Sequence, residues 1–179
     1  MPLYEELKVF SGSSNPDLAT RVCEYLGVPP GKIEVFKFTN DGEELVLTLG
    51  QHLEPGNDET HFNRPTAIAF LPDGSTFVSD GYVNTRVVKF DSNGDFVMAW
   101  GEPGTGPGQF NLPHSVWEAR GRVYVADRQN NRLQVFTPDG AHLETWPGFL
   151  QPCKIYIDAD DIIYVAELGD RVSILDLQG

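Results

Sequence analysis

The spacing of apolar residues changes once along the chain. In the first part, Leu18, Val22, Tyr25 and Leu26 recur at helical intervals and form one stripe. Asn15 suits the cap of that helix, Pro16 its first turn and Asp17 the positive end of its dipole. Gly27 and the run Pro29-Pro30-Gly31 end it. LKVF (7–10) reads as a short strand ahead of it. From about residue 33 the apolar positions alternate instead, as they do in strands.

The alternating region also repeats. VFKFTNDG (35–42), VVKFDSNG (87–94) and LQVFTPDG (133–140) each predict a strand ending in an aromatic, then a turn closed by glycine. The terminal ILDLQG is a weaker copy. FVSDGYVNTR (77–86), YVADRQNNR (124–132) and YVAELGDR (164–171) form a second set, offset by 47 and then 40 residues. FNRPTAIAF (62–70) and FNLPHSVWE (110–118) form a third, offset by 48. Periods of about 40–50 residues with four short strands each are the mark of β-propeller blades. Residues 62–101 and 110–147 each predict one blade, 152–179 three strands of another, and 33–49 two strands of a preceding one.

The expected fold is mainly β: a partial, about three-blade propeller over 33–179, with a strand–helix segment over 1–32. Propellers close with about 4–8 blades. Open blade faces and strand edges are therefore expected, and with them association with another chain.

Composition narrows the partners. The net charge of −13 repels phosphate backbones and argues against nucleic acid. No apolar run approaches the ~20 residues of a membrane span, so no membrane is expected. MPLYEELKVF has neither the basic nor the apolar region of a signal peptide, which makes the cytoplasm the default location. Cys23 and Cys153 have no recognisable spacing and read as two buried free thiols.

Two family resemblances enter here. LKVFSGSSNPDLATRVCEYLGVPPGKIEVFKFTN, within residues 7–43, resembles the N-terminus of ribose-phosphate pyrophosphokinase, which makes phosphoribosyl pyrophosphate from ribose 5-phosphate, ATP and magnesium. Its nucleotide loop, F-x-N-x-E, would correspond to FTNDGE with Phe38, Asn40 and Glu43, one residue too long. The family's later phosphate loops have no counterpart here. Residues 35–179 resemble an NHL-repeat propeller, and more narrowly peptidyl-α-hydroxyglycine α-amidating lyase. EPGNDETHFNRPTAIA, FVSDGYVNTRVVKFDSNGDFVMAWGE, PGQFNLPHSV and VYVADRQNNRLQVF carry that resemblance, in the family's order.

The second resemblance implies a six-bladed fold and release of glyoxylate from a peptidyl-α-hydroxyglycine to leave a peptide amide. It further implies a zinc on three proline-preceded histidines, a tyrosine, two arginines and a structural calcium. Carried onto this sequence, His114 in LPHS falls on a zinc histidine, Tyr82 in SDGY on the tyrosine and Arg128 in ADRQN on one arginine. The other two proline-histidine positions have no counterpart, and one imidazole does not hold catalytic zinc. This chain is thus expected to be inactive alone, with lyase activity if missing blades complete the site.

The residues also have plainer readings. His114 can be a strand histidine with its ring satisfied by backbone, Tyr82 a packing residue, and Arg128 an ion-pair partner of its neighbour Asp127. Asp80 and Asp127 recur at equivalent positions and read as turn braces. The copy aligned with His114 is taken to carry Ala67, which makes the histidine singular. His52, His61 and His142 form no zinc spacing. GEPGTGPGQ (101–109) lacks the lysine of a phosphate loop and reads as an inter-blade linker. A propeller that binds a peptide or small molecule without catalysis, and a pyrophosphokinase-related chain, remain the alternatives.

Overall fold

The computed structural model describes residues 48–177 and 179. The N-terminal strand and helix, the strands expected between 33 and 47, the loop of Phe38, Asn40 and Glu43, and Cys23 lie outside the described residues.

Thirteen strands build the described part. β1 (Ala67–Phe70), β2 (Thr76–Asp80), β3 (Arg86–Phe90) and β4 (Phe96–Trp100) form an antiparallel meander. β5 (Glu102–Pro103) and β6 (Gln109–Phe110) pair in parallel across the glycine-rich linker. β7 (Pro113–Ala119), β8 (Arg122–Asp127), β9 (Arg132–Phe136) and β10 (His142–Pro147) form a second meander. β11 (Pro152–Ile157), β12 (Ile163–Glu167) and β13 (Arg171–Leu175) form a third, three-stranded sheet. These are the blades of a partial β-propeller, and they fall where the repeats place them.

Local chemistry sets the hairpins. The Asp91 carboxylate accepts hydrogen bonds from the backbone of Asn93 and Asp95, both at 2.9 Å. Asp158 does the same for Asp160 and Ile162. A short acidic side chain satisfies the turn's own N–H groups, so each turn closes between two strands without help from the rest of the fold.

The sheets stack face to face. β7 packs on β1 and β2 on one side, and on β11 on the other. Phe77, Val87, Phe110, Val116, Val125 and Phe136 fill the layer between the first two sheets. Tyr124, Leu133, Val135, Ile155, Ile163 and Val165 fill the layer between the second and third. The inner strands β2 and β9 are buried along their whole length, whereas the outer strands β4 and β10 alternate. Each large apolar side chain in these layers contributes about 1.5–3 kcal/mol relative to exposure.

One polar device recurs in all three sheets. Asp80 faces Arg86, Asp127 faces Arg132 and Glu167 faces Arg171, each as directly opposed residues of one hairpin. Their Nε–O distances are 3.0, 2.7 and 2.9 Å. The second carboxylate oxygen accepts the backbone N–H of a residue just ahead of the sheet: Asn63, Asn111 or Leu150. Each arginine then donates to carbonyls of the preceding linker, at Asp58 and His61, at Thr105, Gly106 and Gln109, or at Gly148. Every blade is thereby tied to the chain that leads into it. Asp80 and Asp127 do brace backbone, but backbone 16–17 residues away rather than their own turns.

Candidate functional site

His114 is the second residue of β7, at a bulge where the pairing with β8 shifts register between Pro113 and Ser115. Ahead of it, Leu112 has a φ of 66° and turns the chain into the strand. Arg64 and Gln151, which also precede prolines, have φ values of 62° and 53°. This left-handed turn is thus shared by all three sheets and serves the fold. The bulge is shared too, since the third sheet shifts register between Pro152 and Lys154.

That geometry aligns three positions: Thr66 after Pro65, His114 after Pro113, and Cys153 after Pro152. The copy of His114 in the first sheet is therefore Thr66, not Ala67. Ala67 faces Ser79 across its hairpin as Ser115 faces Ala126, which makes Ala67 the counterpart of Ser115.

The His114 ring is held at both nitrogens. Nδ1 lies 2.8 Å from the carbonyl oxygen of Cys153, on the next sheet. A carbonyl only accepts, so Nδ1 carries the proton and neutral His114 keeps its lone pair on Nε2. Nε2 lies 3.1 Å from the Tyr82 hydroxyl, which therefore donates to it. The two rings meet edge to face at 5.4 Å. Tyr82 comes from the loop after β2 and is 51% exposed. Three consecutive sheets thus meet in one contact: a phenol from the first, an imidazole from the second and a carbonyl from the third.

Gly81 makes the contact possible. A β-carbon there would stand 1.8 Å from the Pro113 carbonyl oxygen and 2.7 Å from its carbon. Only glycine lets the Tyr82 loop lie against the start of β7. Sequence reasoning missed this role, although Gly81 stands where the second copy has Arg128.

Arg128 begins the 3-10 turn after β8. Its backbone N–H donates to Leu112 at 3.2 Å, next to the histidine's strand. Its side chain makes no hydrogen bond to Tyr82 or His114 among the described residues, and its Nε is buried without a partner. It does not pair with Asp127. Across the hairpin Arg132 takes that carboxylate, joined by Asn130 and Gln134. Strand neighbours point to opposite faces, while directly opposed residues share one.

The remaining candidates lie elsewhere. His61 sits 2.8 Å from Asp58 in the loop before β1. His142 hydrogen-bonds Thr145 at 2.9 Å on the outer strand β10. Cys153 is a free, half-buried thiol rather than a fully buried one. Among the described residues no group of three His, Cys, Asp or Glu side chains is placed to hold a metal ion. The orientation of His114 suits a metal ligand through Nε2, but catalytic zinc takes three protein ligands. These residues by themselves do not fit zinc.

Comparison with known proteins agrees with both sequence resemblances. Residues 7–51 match the N-terminal domain of ribose phosphate pyrophosphokinase. A probable peptidyl-alpha-hydroxyglycine alpha-amidating lyase of Caenorhabditis elegans is 38% identical over 119 residues, covering 64% of this chain and 34% of that protein. NHL repeat-containing protein 3 of Mus musculus is 40% identical over 163 residues, covering 84% of this chain and 46% of that protein. The chain's homologues are amidating lyases and NHL-repeat proteins. It spans less than half the length of these curated relatives. Among solved structures, Kuenenia stuttgartiensis hydrazine synthase superposes with a TM-score of 0.54 at 17% identity, over 72% of this chain and 37% of that one. That likeness concerns the fold alone. The chain therefore carries a propeller module related to those of amidating lyases and NHL-repeat proteins.

Proposed function

We propose that the described blades are part of a propeller of the type that converts a peptidyl-α-hydroxyglycine to a peptide amide and glyoxylate, and that this chain does not turn over alone. The contact between Tyr82 and His114 carries this reading. It joins two residues 32 positions apart that the lyase resemblance assigns to one site. The chemistry of the pair is suited to the task. A phenol hydrogen-bonded to an imidazole whose other nitrogen is fixed can pass a proton to or from a ligand hydroxyl. Arg128, with its buried unpaired Nε–H, adds a donor for a carboxylate or carbonyl.

Zinc would lower the pKa of a ligand hydroxyl bound to it. The described residues supply one imidazole for it, and inactivity follows from that shortfall. The ligand class is a peptide or small molecule carrying a hydroxyl beside a carboxylate. A module that binds such a ligand without catalysis uses the same two residues.

The test is zinc content together with glyoxylate release from a synthetic α-hydroxyglycine peptide, on the full chain and on His114→Ala. The expected result is substoichiometric zinc and no glyoxylate, with the peptide shifting the His114 ring signals in NMR spectra. Stoichiometric zinc with turnover abolished by His114→Ala would overturn the inactivity and keep the lyase chemistry. Turnover that survives His114→Ala, or ring signals the peptide leaves unmoved, would remove this corner as the site.

A further inference from the structure

The carbonyl that fixes the His114 tautomer is itself held from both sides. Cys153 lies between Gln151 and Ile155. The Gln151 backbone N–H donates to Asn131 Oδ1 at 2.9 Å, and its side-chain amide donates to Gln129 Oε1 at 3.3 Å. The Ile155 N–H donates to Ser115 Oγ at 3.1 Å. Both backbone acceptors belong to the second sheet: Asn131 closes the 3-10 turn after β8, and Ser115 follows His114 in β7. β11 is an edge strand of its sheet, and edge strands carry N–H groups that need partners outside the ladder. Ser115, fully buried, supplies one.

Neither brace belongs to the repeating frame. Where the second sheet has Ser115, the first has Ala67 and the third Lys154, and neither of these carries a hydroxyl. Ahead of the paired arginine stand Thr85, Asn131 and Asp170 in turn. The frame supplies a different contact: Thr66, at the place of His114, donates to the Pro113 carbonyl at 2.8 Å. His114 reaches one residue further, to Cys153 rather than Pro152. Among the described residues, the two braces join only the second and third sheets, where the histidine makes that reach.

We propose that Ser115 and Asn131 are positioning residues for His114. They set the Cys153 carbonyl where it keeps the ring proton on Nδ1 and leaves the Nε2 lone pair free. An N–H···O bond weakens outside about 2.7–3.2 Å, so a shift of about half an ångström in β11 releases Nδ1. A proton then leaves Nδ1 for solvent and one from solvent binds Nε2, which donates to the Tyr82 oxygen. The pair is reversed, and Nε2 no longer accepts a proton from a ligand. The use made of this tautomer rests on the proposed function; the positioning does not.

The experiment is long-range 1H–15N correlation spectroscopy on the full chain with labelled histidine, metal-free at about pH 8, where ordinary histidines are neutral. The wild type should show His114 protonated on Nδ1. Ser115→Ala removes one acceptor. Asn131→Gly removes the other and keeps the left-handed backbone at φ 56°. Each should shift His114 towards the Nε2–H tautomer, and the double variant should shift it further. Asn131→Asp keeps an acceptor and should return the wild-type spectrum. Ile163→Val thins the core layer between the second and third sheets from the far end of β12. It should lower the thermal midpoint and leave the tautomer unchanged. Circular dichroism checks folding, and Asn131→Gly, on an exposed turn, decides the matter where the buried Ser115→Ala does not fold. A wild type protonated on Nε2 overturns the proposal, as does an unmoved Nδ1 proton in either folded variant. So does a shift in Ile163→Val as large as theirs, or an Asn131→Asp spectrum like that of Asn131→Gly. Should the α-hydroxyglycine peptide leave the wild-type ring unmoved, the functional reading falls, and a tautomer shift in the two variants still supports the positioning.

Discussion

Asp127 and Arg132 are five residues apart and meet through a 2.7 Å contact, with the carboxylate wholly buried. The arginine's other N–H groups hold three carbonyls of the 105–109 linker. Removing one partner strands the other's charge in a dry site, which costs about 3–5 kcal/mol. Arg132→Met should therefore lower unfolding free energy by that amount in urea titrations followed by tryptophan fluorescence. Arg132→Lys should recover only a fraction, because one ammonium cannot span the carboxylate and three carbonyls. Converting Asp127 to Asn as well should cost less than the two single changes added together.

Gly81→Ala should be far more damaging than an ordinary loop substitution. The added methyl overlaps the Pro113 backbone, which has no rotamer to yield. The expected loss is about 1–3 kcal/mol, as for overpacking elsewhere. Retreat of the Tyr82 loop should also remove the hydrogen bond to His114, visible as a changed Nε2 shift in 15N spectra.

Tyr82→Phe separates chemistry from stability. The ring is half exposed and its edge-to-face contact survives, so unfolding free energy should fall by less than about 1 kcal/mol. The His114 Nε2 resonance should move, while Nδ1 stays protonated against Cys153. Should the spectra instead show the proton on Nε2, the donor direction derived for the pair would be reversed.

Glu167 predicts part of the acid response. Burial raises its pKa, but hydrogen bonds from Arg171, Ser173 and the Leu150 backbone outweigh burial and hold it below its ordinary value of 4.5. A carboxyl whose folded pKa is depressed contributes stability that is complete above its unfolded pKa. That stability is lost as pH falls through the lower folded value. Glu167→Gln should destabilise the protein near neutral pH and flatten the decline of stability below about pH 4.5. Denaturation midpoints measured from about pH 3 to about pH 7 check this, a span that contains the titration of an ordinary glutamate near 4.3.

Much of the fold was legible because its signals are local. Alternation, the aspartate-glycine turns and the offsets of 47 and 48 residues marked where strands begin and end, and the sheets form there. The site was legible in its members only. Tyr82 and His114 could be named from flanking motifs and the resemblance puts them in one site, but nothing in SDGY or LPHS gives their direct hydrogen bond. The Asp127 pairing was misread because chain neighbours were weighed and hairpin partners were not. Ala67 is one position out as a counterpart of His114, because the offset of 48 already pairs His114 with Thr66, and the hairpin registers agree.

The sequence by itself determined the blades, since hydrophobic period and turn chemistry act over a few residues. Only the tertiary structure decided that Tyr82, His114 and the Cys153 carbonyl form one contact, that Gly81 must be glycine, and that Ser115 and Asn131 hold the chain on either side of that carbonyl. Those outcomes depend on how one sheet is seated on the next. Seating is set by the sum of many side-chain contacts and by backbone passing against backbone, neither of which has a local signature.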